Sequence, residues 1–99
     1  MDFVVDVAGE RFVLRTTNAE TIRLAAENLQ GGNRRFPSGP RRDGSGGFNS
    51  PWTWHLDPDQ TQMVEAAIEV CDGKPSYVEL HQSAYPTYCP WSARIVERR

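Results

Sequence analysis

GGNRRFPSGPRRDGSGGFNSP, from Gly31 to Pro51, is the stretch on which the reading of the fold turns. It holds six glycines and three prolines. Both residue types interrupt helices and strands, so composition assigns no regular element here and leaves a long irregular loop over residues 31–50. A loop this long inside a small domain is uncommon and points to a functional role or to disorder.

On the N-terminal side of this stretch, Phe3 to Val7 alternates with Phe3, Val5 and Val7 on one face. Ala8-Gly9-Glu10 is a turn, and Arg11 to Arg15 alternates again, so the two runs read as a hairpin. Thr17-Asn18-Ala19-Glu20 has the spacing of a capping box. Behind it Ile22, Ala25, Ala26 and Leu29 repeat at helical spacing, and Gly31 suits the position just past the end. These features place a helix at about residues 18–30.

On the C-terminal side, Trp52 to Leu56 reads as a strand. Asp57 and Pro58 suit the cap and first position of a helical turn. Met63 to Cys71 fits both periods and is assigned a short helix followed by a strand over Ile68–Cys71. A short helix opens at Pro75 and runs to Gln82, with Tyr77, Val78 and Leu80 to bury. Ser83 to Pro90 is loop, and Trp91 to Glu97 alternates as a final strand. The expected fold is α+β, with a mainly antiparallel sheet of about five strands carrying two or three helices on one face.

The chain has 99 residues, which suits a single domain over 1–99. Net charge is −2, unevenly spread. Residues 31–50 carry four arginines and one aspartate, and residues 57–79 carry six acids and one lysine. One basic loop falls short of the broad excess that nucleic-acid binding demands, so nucleic acid is excluded as an expected partner. No apolar run reaches the length of a membrane span, so membrane insertion is not expected. Met-Asp-Phe-Val-Val lacks the features of a signal peptide, so a secreted form is expected to have lost its leader before Met1.

Cys71 and Cys89 lie 18 positions apart. Two readings stand: a disulfide in an oxidising compartment, or two reduced, buried thiols in a cytosolic one. A bridge of this span contributes about 3 kcal/mol by constraining the unfolded chain.

Four patches together resemble a known family. They are Pro51-Trp52-Thr53-Trp54-His55-Leu56-Asp57-Pro58, Ala67-Ile68-Glu69-Val70-Cys71-Asp72, Pro75-Ser76-Tyr77-Val78-Glu79-Leu80-His81 and Cys89-Pro90-Trp91-Ser92. The combination looks like small secreted domains of soil bacteria and slime moulds. These are sometimes labelled calmodulin-binding proteins, after the N-terminal domain of a larger slime-mould protein. The resemblance spans about residues 3–97. It implies an extracellular setting and a paired Cys71 and Cys89, and it brings no catalytic residues. The chain departs from the pattern in the 31–50 stretch and between His81 and Cys89.

Several constellations carry chemistry in principle. His55, Cys71, His81 and Cys89 contain zinc-ligand types, but no local pair fixes two of them, so no metal or other cofactor is expected. His55 has no nucleophile motif to serve as a general base. Asp57, Asp59 and Asp72 lack the alternate spacing of a calcium loop. Trp52, Trp54 and Trp91 are core formers first and flat binding surfaces second. Tyr85 and Tyr88, set among prolines, are expected to be exposed. Arg34-Arg35 and Arg41-Arg42 flank Phe36, and guanidinium forks pair with carboxylates. The expected function is therefore a non-catalytic extracellular binding module. It would recognise a protein or carbohydrate partner through Arg34, Arg35, Phe36, Arg41, Arg42, Tyr85 and Tyr88. The alternatives are a serine-protease inhibitor presenting an arginine from the 31–50 loop, and a small zinc-dependent hydrolase using His55 and His81. No oligomeric state is implied.

Overall fold

Asp2–Val7 (β1) and Glu10–Arg15 (β2) form the expected antiparallel hairpin, with Val7 opposite Glu10 across the turn. Ala8 takes a positive φ of 52° in that turn, a conformation that costs a side-chain-bearing residue about 1 kcal/mol. The computed structural model describes residues 1–67 and 70–99. The helix α1 runs Ala19–Leu29, and its cap is Asn18 rather than Thr17: the Asn18 Oδ1 accepts the Thr21 N–H at 2.9 Å. Glu20 pairs instead with Arg23, so the capping box does not close. At the other end the Gly31 N–H reaches the Asn28 carbonyl and the Gly32 N–H the Glu27 carbonyl, which is a Schellman motif with Gly31 at C′ as expected.

The decisive difference lies in the glycine- and proline-rich stretch. Phe36–Asp43 is a strand, β3. It pairs antiparallel with Trp54–Leu56 (β4) at Arg41–Asp43, with Gln62–Val64 (β5) at Phe36–Ser38, and with Thr87–Tyr88 (β6) at Gly39–Pro40. Each partner is two or three residues long, so each proline is spanned by a different strand. Pro40 joins through its carbonyl, which accepts the Asp57 N–H at 2.9 Å, and so its missing donor costs nothing there. Gly39 is required by crowding: a Cβ would run into the Thr61 hydroxyl. The last strand, β7, is Arg94–Arg98 and pairs with β1.

The protein is thus mostly β. Among the described residues seven strands lie in two antiparallel sheets, β2-β1-β7 and the group around β3. This overturns the α+β expectation of one five-stranded sheet with two or three helices on one face. Met63 lies in β5, not in a helix, and the anticipated strand over Ile68–Cys71 falls partly outside the described residues. The Ser83–Pro90 loop contains a single 3-10 turn at Gln82–Ala84 and then β6. Pro75–Leu80 (α2) opens on Pro75 as expected but makes fewer than two turns. No helix among the described residues is long and apolar enough to cross a membrane.

The two sheets share one apolar cluster built from Phe3, Val5, Phe12, Leu14, Trp54, Leu56 and Tyr88, with α1 packed on β7 and β5. Phe12, Trp54 and Tyr88 meet with ring centroids 5.4 to 5.7 Å apart. The Trp54 indole N–H is buried and has no acceptor among the described residues. Polar groups hold the sheets together. Asn49 is fully buried; its Oδ1 accepts the Val13 N–H at 2.7 Å and its Nδ2 donates to the Trp54 carbonyl at 2.8 Å. Asn28 in α1 accepts the Ile95 N–H at 2.8 Å and donates to the Arg35 carbonyl at 3.0 Å. The buried face of α1 is therefore Thr21, Leu24, Ala25 and Asn28, rotated from the Ile22–Leu29 stripe.

Replacing Asn49 by alanine strands one buried N–H and one buried carbonyl, and should cost about 2–4 kcal/mol in urea unfolding. Asn49→Asp sets a carboxylate oxygen against the Trp54 carbonyl in a fully buried site, and should cost at least as much as alanine. A loss below about 0.5 kcal/mol for Asn49→Ala would mean that the two groups are satisfied without this side chain.

Candidate functional site

Fewer than two helical turns cannot hide two faces, and α2 shows this directly. Pro75 and Val78, three apart, are buried. Tyr77 and Leu80, also three apart, stand on the other stripe with 52% and 79% of their surface exposed. They wall an open cleft of about 450 Å³ that also takes in Asp72, Lys74 and the edge of Tyr85. The Tyr77 ring stacks on His81 at 4.0 Å between centroids and meets Tyr85 edge-on at 6.1 Å. Tyr85 meets Tyr88 at 5.9 Å, and Tyr88 meets Phe12 and Trp54. A continuous chain of rings therefore runs from the centre of the core to the cleft wall.

The cleft floor, residues 71–74, is held from several sides. Cys71 and Cys89 are joined by a disulfide with Cα atoms 5.1 Å apart, inside the normal range. The Tyr85 hydroxyl donates to the Asp72 carbonyl at 2.8 Å and the Tyr88 hydroxyl to the Gly73 carbonyl at 2.6 Å. The Asp72 Oδ1 accepts the Trp91 N–H at 2.8 Å. Gly73 is the only residue type that fits: a Cβ would stand 2.5 Å from the Tyr85 hydroxyl. Glu10 fixes the start of α2, accepting the Ser76 N–H and the Ser76 hydroxyl at 2.8 Å each, and these bonds hold its carboxyl below the usual range. Burial, with lesser help from Asp72 and Tyr85, pushes the Tyr88 hydroxyl far up, so it stays a donor at any physiological pH.

The residues singled out from sequence are dispersed. Tyr88 is fully buried, Tyr85 is 6% exposed and Phe36 also 6%, which corrects the expectation that the two tyrosines stand in solvent. They support the cleft from below. Arg35 is ion-paired with Glu65 at 2.8 Å and donates to the Met63 carbonyl. Arg41 donates to the Tyr85 carbonyl at 2.9 Å and pairs with Asp43. Arg42 pairs with Asp57 at 3.1 Å. Arg34 alone of the four is exposed with no hydrogen bond or ion pair among the described residues. The idea of an arginine offered to a protease therefore narrows to Arg34.

The histidines also part company. His55 Nδ1 bonds the Gly44 carbonyl at 2.7 Å and its ring sits edge-on to Phe48, whereas His81 Nδ1 bonds the Tyr77 carbonyl at 2.9 Å. With both sulfurs in the disulfide, the mixed Cys–His zinc set is unavailable. No cluster of three or more metal-ligating side chains occurs among the described residues. Asp57 serves as a cap: its Oδ1 accepts the Asp59 N–H at 2.8 Å and the Gln60 N–H at 3.2 Å. Tyr77 and Leu80 were missed as site residues because a three-residue spacing signals burial; the shortness of α2 was the usable warning.

Two stability outcomes follow from this geometry. The Cys71→Ala/Cys89→Ala variant should lose about 3 kcal/mol in urea unfolding, and an unchanged midpoint would remove the disulfide from the floor's support. The Asp59 N–H, and then Arg42, hold the Asp57 carboxyl below its ordinary value of 3.8. A carboxyl lowered in the folded state stabilises fully above its unfolded value and loses that contribution as pH falls through the folded one. Asp57→Asn should therefore show a smaller drop in thermal midpoint between about pH 6 and about pH 2 than wild type does.

One family model, described as the BP-74 N-terminal domain, matches residues 2–99. No curated protein and no solved structure matches significantly.

Proposed function

The chain belongs to the BP-74 N-terminal domain family, and on that premise we propose that it is a non-catalytic binding module that works outside the cell. The disulfide suits an oxidising compartment. The observation that carries the reading is the exposure of Tyr77 and Leu80 over a floor pinned by a disulfide, two tyrosine hydroxyls and an aspartate.

Exposed apolar side chains in a concave site gain most when a partner covers them, about 25 cal/mol per Å² removed from water. A rigid floor lowers the ordering cost of that association. Lys74 at the rim makes no ion pair among the described residues and supplies a polar edge for register. The partner favoured by this surface is a protein offering an apolar side chain to the Tyr77–Leu80 wall. The arginines of β3 enter this reading as supports: Arg41 holds the Tyr85 carbonyl beneath the cleft.

The test is capture of extracellular proteins on the immobilised domain, read by quantitative mass spectrometry. A protein enriched by wild type and lost with Tyr77→Ala/Leu80→Ala, at an unchanged thermal midpoint, is the expected result. Equal enrichment by wild type and variant, or none by either, would remove the cleft from the function.

A further inference from the structure

Four cationic side chains take part in no ion pair among the described residues: Arg34, Lys74, Arg94 and Arg98. Arg98 lies over the Phe3 ring, and Lys74 belongs to the cleft above. The remaining two, Arg34 and Arg94, line a second groove of about 410 Å³ beside the C-terminal end of α1. Trp91, 54% exposed, lines the same groove, as do Asn33 and Ser92, and no acidic side chain among the described residues does. The carbonyls of Glu27 and Asn28 at that helix end are taken up by the Gly32 and Gly31 N–H groups, so they do not neutralise the arginines.

This concentration is against the trend of the chain, which is net negative and pairs most of its arginines. Two free guanidinium forks favour an anion that accepts paired hydrogen bonds. A half-exposed indole favours a flat face of C–H groups or a ring. The exposed Ser92 hydroxyl suits a ligand with hydroxyl groups, while Asn33 holds the groove wall through the Leu24 carbonyl and the Arg35 N–H. The volume matches one or two rings rather than a duplex or a folded partner.

We propose that the Arg34–Trp91–Arg94 groove is a second binding site, distinct from the Tyr77–Leu80 cleft, for an anionic pyranose within an acidic polysaccharide. The sugar ring lies on Trp91, and its carboxylate or sulfate is held between Arg34 and Arg94. Ser92 binds one of its hydroxyl groups. The two sites are adjacent, because Asp72, which lines the cleft, accepts the Trp91 N–H.

Titration calorimetry of the whole chain tests this with three polymers: polygalacturonate, its fully methyl-esterified form, and dextran sulfate. Binding of polygalacturonate without binding of the ester assigns the site to uronates, and binding of dextran sulfate alone assigns it to sulfated sugars. In either case Trp91→Ala and Arg34→Gln/Arg94→Gln should each weaken binding at least about tenfold. Arg11→Gln/Arg99→Gln, with the same loss of charge elsewhere, should change it less than about threefold. Tyr77→Ala/Leu80→Ala should leave polysaccharide binding intact, so failure of one site is separable from failure of the other. The proposal is overturned by no binding of either anionic polymer, by equal binding of the ester, or by binding that survives Trp91→Ala. A weakening by the remote arginine pair equal to that of Arg34→Gln/Arg94→Gln would do the same, since it would reduce the effect to net charge.

Discussion

Two buried asparagine side chains hold this fold in register. The β2-β1-β7 sheet has two edges, and each presents a backbone N–H that the rest of the chain must satisfy. Asn49 takes the Val13 N–H on the β2 edge, and Asn28 takes the Ile95 N–H on the β7 edge. Each spends its amide on a carbonyl of the other half, Trp54 in β4 or Arg35 just before β3. The sheets are therefore joined by hydrogen bonds as well as by the apolar cluster between them. An apolar contact tolerates sliding, whereas these bonds have one geometry, and they set how the halves meet.

From that registration the rest of the second half follows. β3 is a spine with three short partners, each pairing with two or three of its residues. Because β6 arrives at Gly39–Pro40, Tyr88 is carried into the core against Phe12 and Trp54, and its hydroxyl emerges at Gly73. The cleft floor is in this sense an outgrowth of the core. Its hydroxyl donors and its disulfide partner, Tyr85, Tyr88 and Cys89, all reach residues 71–74 from the 85–89 segment, and Gly73 leaves room for them. α2 then lies across the result with its start tied to Glu10 of β2, leaving Tyr77 and Leu80 uncovered.

The arginines show how context changes a residue's role. Four of them, read in a row of glycines, look like a free basic surface. Three are consumed by Glu65, Asp43 and Asp57 and by carbonyls of Met63 and Tyr85. Two of these acids, Asp57 and Glu65, belong to the acidic 57–79 stretch, so part of the uneven charge along the chain is cancelled across the fold. What remains uncancelled is Arg34, which meets Arg94 and Trp91 from the far end of the sequence.

Local signals were enough for the elements whose reasons are local. The β1–β2 hairpin, α1 with its Gly31 closure, and the proline-opened α2 were all legible from alternation, periodicity and capping chemistry. The cysteine pairing was one of two readings of the residues alone and became the expectation through the family resemblance. The strand at Phe36–Asp43 was not legible, because its glycine and prolines are admitted by neighbours fifteen to fifty residues away: Thr61, Asp57, Met63 and Thr87. The same holds for the polar face of α1 and for the burial of Tyr85 and Tyr88. The sequence by itself determined the pieces that satisfy their own backbone within a turn or two. The tertiary structure decided every feature whose hydrogen-bond partner or van der Waals neighbour is distant in the chain, and both candidate sites are of that kind.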